Sequence, residues 1–510
     1  MSKSRIYQFI SYLYKEKLLI FNPHQSFRNS EYNQQGYWQW DIEQIETVSI
    51  TDNVVDLMVS KIEKLDRNTQ QVLKLAACIG NHFNLEILSF VNNKSQIITA
   101  RELHSALYEG LIIPLDNNYK IPLLWNSEEL STNSSETYSK YFTYIPYKFL
   151  HDRIQQAAYS LIPESEKKQV HLQIGRQLLK NIPEPELQNK IFDIVNQLNE
   201  GSALITEQLE KNELAKLNLQ AGKKAKASTA YKSALRYLET GSELLTENSW
   251  EHQYELTLEL QVEILEALYL NTQLEEIEER TTTIIKKAKD NLDTVKVYQL
   301  TNLSYLAKFQ PDNAIDTAVK ALKKFGIKIS QEIVSDNAIK NKIKQEHQAL
   351  ILMLKRKNNT IQDLANLPKS TDLYKIAAMS IMQPVMSAAW IINYPLLVEV
   401  ILIQINLCLE YNNPPQAAVT YGCYGMLLSG VIGDIDSGYK FGELSLKLLE
   451  KYNIPTLEPL VIHLYYGFIW HWKKLSHDKI GEDKLLNIIQ RLINTGNNEY
   501  ACYCSMNYCH

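Results

Sequence analysis

Two helices meet at a proline in Phe149-Leu-His-Asp-Arg-Ile-Gln-Gln-Ala-Ala-Tyr-Ser-Leu-Ile-Pro163, which continues as Glu164-Ser-Glu-Lys-Lys-Gln-Val-His-Leu-Gln-Ile-Gly-Arg-Gln-Leu-Leu179. The alternating residues before Phe149 predict the end of a strand. A helix is predicted from His151, and it should stop at Pro163 because proline lacks the N–H that a helix interior requires. An amphipathic pattern then resumes and predicts a second helix. The stretch therefore marks a change from mixed α and β structure to helices alone.

The residues upstream of this stretch predict a small domain of helices followed by two strands. The predicted helices span 53–65, 68–79, 85–91 and 99–109, and the predicted strands span 111–115 and 141–149 around a Ser/Asn/Glu-rich insertion at about 125–139. Residues 6–21 carry a further helical pattern, and 22–49 are predicted to be a connector. Helices followed by a two-stranded wing predict a winged-helix-like α+β domain over 51–165. A generic α+β domain fits the periodicity nearly as well.

The residues downstream predict helix packed on helix. Small residues recur ahead of Leu and aromatic positions in three frames, which are Ala221, Gly222, Ala225, Ala230 and Ala234; then Ala314, Ala318 and Ala321; and then Gly438, Gly442 and Ser445. Such frames are tetratricopeptide-like, because small side chains let paired helices approach closely. We therefore expect an αα-solenoid over 166–335 and again over 368–510. The more charged residues 336–367 are predicted to be a solvated helix or a linker. The predicted fold class is mainly α.

Composition restricts the class of protein. The 510 residues are 45% hydrophobic and 22% charged, and only 17 Gly and 15 Pro interrupt them, which favours helices. The net charge of −5 argues against nucleic-acid binding, since phosphate neutralisation requires a basic face. The six cysteines are sparse and lie mostly in apolar helical runs, and the N-terminus lacks a secretory pattern, so we expect a cytoplasmic protein with reduced thiols.

One apolar run needed testing as a membrane span. Residues 396–409 are apolar except for Glu399, Gln404 and Asn406. The run is shorter than the roughly 20 residues that a span requires. It is predicted to be a buried core helix, and no membrane span is expected.

Several stretches besides 149–179 resemble one family: Ile50–Met58, Thr69–Gly80, Leu364–Lys369, Gly433–Tyr439 and Trp470–Lys473. In the same order they resemble the central region of very large bacterial signalling proteins. Those proteins join a serine/threonine kinase, a STAND-type AAA ATPase (a signal-transduction ATPase with numerous domains), a helical arm, a GAF sensor and a two-component histidine kinase. The resemblance implies that residues 1–50 are the remnant of an ATPase lid and its connector, and that the chain is a fragment.

Motifs for catalysis are missing from the sequence. Gly222-Lys223 has Leu217 where the first glycine of a P-loop belongs, and it lies within a predicted helix. His151-Asp152-Arg153 has the wrong order for a kinase catalytic loop. We expect no enzymatic activity and no cofactor in this chain; ATP, ADP and Mg belong to the family that it resembles.

The same resemblance gives His151 a role. A histidine at this position of the winged helix faces the β-phosphate of bound ADP in related ATPases, so the resemblance implies that His151 is a nucleotide-sensing contact in an intact parent. The alternative is that His151 and Asp152 only cap the helix and pair with Arg153 or another neighbour.

Two other patterns in the sequence could indicate a binding site. Cys502-Tyr-Cys504 with Cys509-His510 suggests zinc, but a second ligand cluster is missing from the sequence, so no metal site is expected. The predicted helix 99–109 would be the DNA-recognition helix of a winged helix. It carries one Arg and two acidic residues, Glu102 and Glu109, whereas a helix that enters the major groove requires more positive charge, so no DNA binding is expected.

The sequence therefore predicts a non-catalytic relay. It would couple a STAND-type ATPase module to kinase output through contacts with protein partners, including ATPase and kinase modules in the same chain or in another. The alternative is a stand-alone helical-repeat scaffold that binds a protein or peptide.

Overall fold

The computed structural model describes residues 10, 14, 17–22, 37–40, 42, 54–123, 145–330, 335–474, 479–494 and 498–509. These residues are mostly helical, with a few short strands. The chain divides into two compact units, Met1–Ala221 and Gly222–His510. The finer borders predicted at residues 50, 165, 335 and 367 stay predictions.

The first unit contains both sheets. Its elements are β1 (Leu19–Asn22), β2 (Tyr37–Trp40), α1 (Val54–Glu63), α2 (Arg67–Ile79), β3 (His82–Asn84), α3 (Leu85–Asn92), α4 (Gln96–Tyr108), β4 (Ile112–Pro114), β5 (Pro146–Phe149), α5 (Asp152–Ser160), α6 (Glu164–Asn181) and α7 (Glu184–Glu200). The strands β1 and β2 pair antiparallel. Residues 19–21 were predicted to end a helix and 37–40 to lie in a connector, so both expectations are wrong there. The predicted insertion at 125–139 lies outside the described residues.

Local capping explains where the helices of this unit begin and end. Asp66 accepts a hydrogen bond from the Thr69 N–H at 3.0 Å and so caps α2. The hydrogen bond from the Thr69 hydroxyl, together with that from the Thr69 N–H, lowers the pKa of the Asp66 carboxyl. At the other end Gly80 adopts φ 147°, which is costly for a residue with a side chain. The predicted helix 68–79 is thus confirmed to within a residue.

A three-stranded antiparallel sheet stands in the order β3-β5-β4. The predicted strands β4 and β5 are confirmed, whereas β3 was missed because three residues are too few to show alternation. Tyr147 and Phe149 are buried on one face of β5, and Phe83 of β3 stacks on Tyr147 at 5.8 Å between ring centroids. The aromatic rings join the sheet to the core beneath α1, α2 and α4. The winged-helix assignment itself stays a prediction.

The helix pair predicted around Pro163 is confirmed. The helix α5 begins after His151, α6 begins directly after Pro163, and α7 packs against α6. Gly175 makes this packing close, because a Cβ there would lie 2.5 Å from Leu198 Cδ2.

The second unit is a succession of helices. They are α8 (Gln208–Ala227, which crosses the division between the units), α9 (Tyr231–Glu243), α10 (Ser249–His252), α11 (Tyr254–Leu270), α12 (Ile277–Lys287), α13 (Val295–Ala307), α14 (Pro311–Lys324), α15 (Asp336–Arg356), α16 (Leu373–Ile392), α17 (Tyr394–Tyr411), α18 (Ala417–Leu427), α19 (Ile435–Tyr452), α20 (Glu458–Leu464), α21 (Lys479–Asn494) and α22 (Asn498–Cys509). Two π-helical segments, Leu428–Ile432 and Tyr465–Ile469, follow α18 and α20.

Three hairpin turns in this unit share one backbone geometry. Thr229, Thr272 and Phe309 have φ of 60°, 59° and 56°, and they lie 43 and 37 residues apart (229 to 272, and 272 to 309). In each turn the next N–H donates to the carbonyl five residues back, at 2.9, 3.0 and 2.8 Å respectively. This bond closes a Schellman turn at the end of a helix. The same turn also closes after Gly326 and Asn358, where Ile327 N–H donates to Leu322 O at 3.0 Å and Asn359 N–H to Leu354 O at 2.9 Å. The turn therefore recurs at uneven intervals between successive helices, which agrees with a degenerate helical-repeat solenoid.

The predicted close approach of small residues occurs in the first of these hairpins. A Cβ on Gly222 of α8 would lie 2.5 Å from Leu238 Cγ of α9. Ala225, Ala234 and Leu238 are buried at the same contact.

The charged segment 336–367 contributes to the core of this unit. The Ser335 side chain caps α15, and Ile339, Ile343 and Leu350 on one face of the helix are buried. Its lysines lie mostly on the exposed face. Residues 336–356 therefore form a packed helix with one solvated face.

Two consecutive helices, α16 and α17, are long and apolar enough to cross a membrane by length and composition. Half of the apolar window of α16 and 56% of that of α17 are buried inside the protein. The prediction of a buried core helix at 396–409 is confirmed, since Leu396, Ile401 and Cys408 lie in the main hydrophobic cluster. The argument from shortness is wrong, because the helix extends to 18 residues. The sequence reasoning missed α16 as a second such helix.

A proline inside α16 determines a contact with α13. Pro384 has no N–H, so the carbonyl of Ser380, four residues earlier, loses its partner within the helix. The Gln299 side-chain amide on α13 donates to that carbonyl at 3.1 Å. Gln416 donates to the Ser380 hydroxyl at 2.7 Å. Two glutamines thus satisfy the turn that the proline opens.

We predict that Gln299 and Pro384 are energetically coupled. Q299M should destabilise the protein by about 1–3 kcal/mol, because it leaves a half-buried carbonyl without a donor. In the P384A background the new N–H at position 384 can bind the carbonyl, so the same change should cost about 1 kcal/mol less. Urea unfolding of the two single variants and the double variant measures the coupling.

The exposed Gln345 on α15 provides the matched control, since Q345M changes the same atoms at the surface. Strict additivity of Q299M and P384A would contradict the assignment of this bond.

A buried histidine makes stability depend on pH. His463 is 9% exposed, its Nδ1 accepts from Asn507 Nδ2 at 2.8 Å, and burial lowers its pKa from 6.5 to about 4. Between pH 6.5 and about pH 4, His463 is therefore protonated in the unfolded chain and neutral in the folded chain. This contribution is fully present above pH 6.5 and is lost as the pH falls towards 4.

We expect acid to remove about 3 kcal/mol of unfolding free energy through His463 over that range. H463Q should flatten this part of the pH profile measured by urea unfolding. An identical pH profile in the variant would show that another group is responsible.

Candidate functional site

The candidate site is built around the start of α5. His151 caps this helix with extended backbone (φ −151°, ψ 146°), and its Nδ1 accepts from the Arg153 N–H at 3.2 Å. An Nδ1 that accepts a hydrogen bond carries no proton, so the neutral ring bears its proton on Nε2. The Nε2–H is therefore the donor that the ring can offer to another group.

The neighbours of His151 are also fixed. Asp152 accepts from Asn81 Nδ2 at 2.8 Å, and the Phe149 N–H donates to the Asn81 carbonyl at 3.0 Å. Arg153 donates to Gln156 Oε1 at 2.8 Å. The capping alternative considered for His151 is thus present in the structure, with Asp152 paired to Asn81 and not to Arg153.

A buried chain of hydrogen bonds continues from α5 into the helices that follow. The Tyr159 hydroxyl lies 3.0 Å from His171 Nε2, His171 Nδ1 lies 2.7 Å from Gln197 Oε1, and Gln197 Nε2 donates to the Cys78 carbonyl at 2.8 Å. His171 and Gln197 are each 7% exposed. The chain joins α5, α6 and α7 to the last turn of α2.

The direction of every bond in this chain follows from its carbonyl end. A carbonyl only accepts, so the Gln197 amide turns its nitrogen to Cys78 and its oxygen to His171. His171 Nδ1 must then carry the proton, and its Nε2 accepts from the Tyr159 hydroxyl. With a neutral His171 ring, each bond of the chain then has one donor and one acceptor.

The last turn of α2 has a second partner in α5. A helix leaves its final carbonyl groups without partners inside the helix. Gln155 Nε2 donates to the Ala77 carbonyl at 3.0 Å, next to the Cys78 carbonyl that Gln197 binds. The end of α2 is therefore held from both α5 and α7.

Sequence reasoning missed Gln155, His171 and Gln197. A signal was available, because His151, Gln155 and Tyr159 stand four residues apart and so share one face of α5. The pairing of Gln197 with Cys78 could not be found, since 119 residues separate the partners.

The other sequence candidates have structural roles. Gly222-Lys223 lies within α8, where Lys223 pairs with Glu259. On α4, Glu102 pairs with Lys94 at 2.6 Å and accepts from Asn92.

Of the suggested zinc ligands, Cys504 is buried, Cys502 and Cys509 are exposed, and His510 lies outside the described residues. Burial raises the pKa of the Cys504 thiol to about 11, which disfavours the thiolate that metals bind. In the part of the chain that the structure describes, no three His, Cys, Asp or Glu side chains converge on a metal-sized site.

The chain was compared with known proteins. No protein-family model matches it. Over 516 aligned positions, covering 92% of this chain, it is 26% identical to the hybrid signal transduction histidine kinase G of Dictyostelium discoideum. The chain spans 15% of the length of that protein. It is therefore similar to a segment of a signalling protein.

A solved structure also resembles the chain. It is that of a STAND protein with a tetratricopeptide repeat sensor from Pyrococcus horikoshii, and the alignment covers 90% of this chain and 56% of that chain. The sequence identity is 12% and the TM-score is 0.37, which is too small a likeness to assign a fold.

We predict that the buried chain stabilises the first unit. Q197L should lower the free energy of local opening of α2 and α7 by about 2–4 kcal/mol, because it leaves the Cys78 carbonyl and the His171 N–H buried without partners. Y159F removes one donor at the end of the chain and should cost about 1 kcal/mol. Hydrogen exchange of peptides from α2, α6 and α7 measures both changes.

Q173L is the control, because Gln173 lies on the exposed face of α6. If Q197L exchanged no faster than Q173L, the buried chain would not hold these helices together.

Proposed function

We propose that the chain is a non-catalytic relay segment of a multidomain signalling protein. Its first unit, a winged-helix-like domain, would report the nucleotide state of a STAND-type ATPase module. The helical repeats that follow would pass the change to kinase output through protein contacts. The chain would need no cofactor of its own, and ATP or ADP with Mg would bind the ATPase module.

The observation that carries this proposal is the position of α5. His151 stands at its start, Gln155 binds the end of α2 one turn later, and Tyr159 contacts α6 after one more turn. A ligand that displaced His151 would therefore displace α5, whose other end is hydrogen-bonded to α6. The similarity to a signal transduction histidine kinase supports the same role.

The proposal requires two states of similar free energy. Shifting such an equilibrium from one state to the other takes a difference of a few kcal/mol in ligand affinity. The bonds at the end of α2 are of this size, since each contributes about 1 kcal/mol net and costs more when broken without replacement.

A second function rests on the hairpin stack in the second unit. Stacked hairpins present an extended surface, and a stand-alone scaffold could hold a protein or peptide on it. Sequencing the locus through both ends of the reading frame separates the two functions. An in-frame ATPase upstream and kinase segments downstream support the relay, whereas unrelated flanking genes favour the scaffold.

We predict that His151 retains ADP in the protein encoded by a complete reading frame that includes the ATPase. H151D keeps a good helix cap but replaces the Nε2–H donor by a carboxylate, and it should speed ADP release about tenfold or more. H151A loses both the cap and the donor, so it should also destabilise α5 by about 1 kcal/mol. Stopped-flow release of a fluorescent ADP analogue measures the first effect, and thermal unfolding measures the second.

Arg153, which binds Gln156 on α5, supplies the control R153Q. ADP release from H151D at the rate of R153Q and of the unchanged protein would leave His151 with capping alone.

A further inference from the structure

A cleft in the second unit lies between α15 and α17, with α18 as its floor. Its volume is about 150 Å³. The side chains that line it are Glu346, Ala349, Leu350 and Met353 of α15, Leu402, Ile405, Asn406 and Leu409 of α17, and Tyr424 of α18.

Aliphatic side chains form one part of the cleft wall, beside the polar groups of Glu346, Asn406 and Tyr424. Leu350, Leu402 and Ile405 are buried, and Met353 and Leu409 are half-buried beside them. A cavity of about 150 Å³ with such walls is large enough for a molecule the size of benzene. Apolar walls with a few placed polar groups are the usual composition of a small-molecule site.

The polar group at the floor is the Tyr424 hydroxyl, and His347 determines its direction. His347 Nε2 lies 3.4 Å from the Asp434 carboxylate, so Nε2 carries the proton. His347 Nδ1 lies 3.2 Å from the Tyr424 oxygen. Burial lowers the pKa of His347, which keeps the ring neutral and Nδ1 free to accept.

The Tyr424 O–H therefore donates to His347, and only the lone pairs of its oxygen are left for a ligand. Burial raises the pKa of Tyr424, and the carboxylates of Glu346 and Asp434 raise it further, so the phenol stays protonated. The lining side chains include one carboxylate, Glu346, and neither lysine, arginine nor histidine. The polar groups of the lining are thus the Tyr424 oxygen, the Glu346 carboxylate and the Asn406 amide, and the charge among them is negative.

We propose that this cleft binds a small organic cation, a primary amine with an apolar body of about six heavy atoms. The ammonium group would donate to the Glu346 carboxylate and the Tyr424 oxygen, and the hydrocarbon would contact Leu350, Leu402 and Ile405. This site is separate from the role proposed for α5 and does not depend on it.

The test uses 3-methylbutylamine and its uncharged analogue 3-methylbutan-1-ol, with the purified full chain. Calorimetric titration and the shift of the thermal midpoint report binding, since a ligand that binds the folded state raises stability. We expect saturable binding of the amine with an affinity at least about tenfold above that of the alcohol.

Two variants locate the site. E346Q should reduce the affinity for the amine about tenfold and leave that for the alcohol unchanged. A349W fills the cleft from an exposed position on α15 and should abolish binding of both. A338W places the same ring at another exposed position of α15 and should change neither.

Absence of saturable amine binding to the unchanged chain overturns the proposal. Equal affinity for the amine and the alcohol also overturns it, because charge would then play no part. Amine binding that survives A349W would place the ligand elsewhere and likewise exclude this cleft.

Discussion

The first unit depends on two carbonyl groups at the end of α2. A helix cannot satisfy its own last carbonyls, and those of Ala77 and Cys78 are enclosed where water cannot reach them freely. Side chains from α5 and α7 supply the donors, so each of these helices is tied to α2 by a hydrogen bond, and α5 also by apolar packing. The end of one helix thus contributes to the positions of two others that are distant in sequence.

Such an arrangement is well suited to transmitting a change. Hydrophobic contacts between helices tolerate small slides, because they have no direction. The hydrogen bonds of the buried chain from Tyr159 through His171 to Gln197 are directional, so a displacement of these helices must break them or exchange them for others. A buried polar network of this kind therefore favours discrete states over gradual drift. The same logic applies to Ser380, whose carbonyl is bound by Gln299 of α13 and whose hydroxyl is bound by Gln416, the residue before α18.

Some helix boundaries of the first unit could be predicted because local chemistry sets them. Asp66, Gly80 and Pro163 act on their own neighbours, and the helices begin or end where these residues stand. The strand β3 escaped prediction since it exists only through pairing with β5, more than sixty residues later. The charged composition of residues 336–367 indicated a solvated face. The buried face of α15 packs against α17, and this contact was not visible in the sequence. At the candidate site, the cap at His151 was among the alternatives, and the spacing of His151, Gln155 and Tyr159 was a local signal for Gln155. The pairing of Gln197 with Cys78 was not visible in any local pattern, because 119 residues separate the partners.

The shared turn at Thr229, Thr272 and Phe309 has a consequence for how this chain can vary. Each turn is closed by a hydrogen bond between atoms of its own hairpin, so its conformation is determined locally. A gene duplication or deletion of one hairpin would leave the other turns intact and change the length of the array by one step. The second unit can therefore gain or lose hairpins over evolutionary time while each remaining hairpin keeps its own turn.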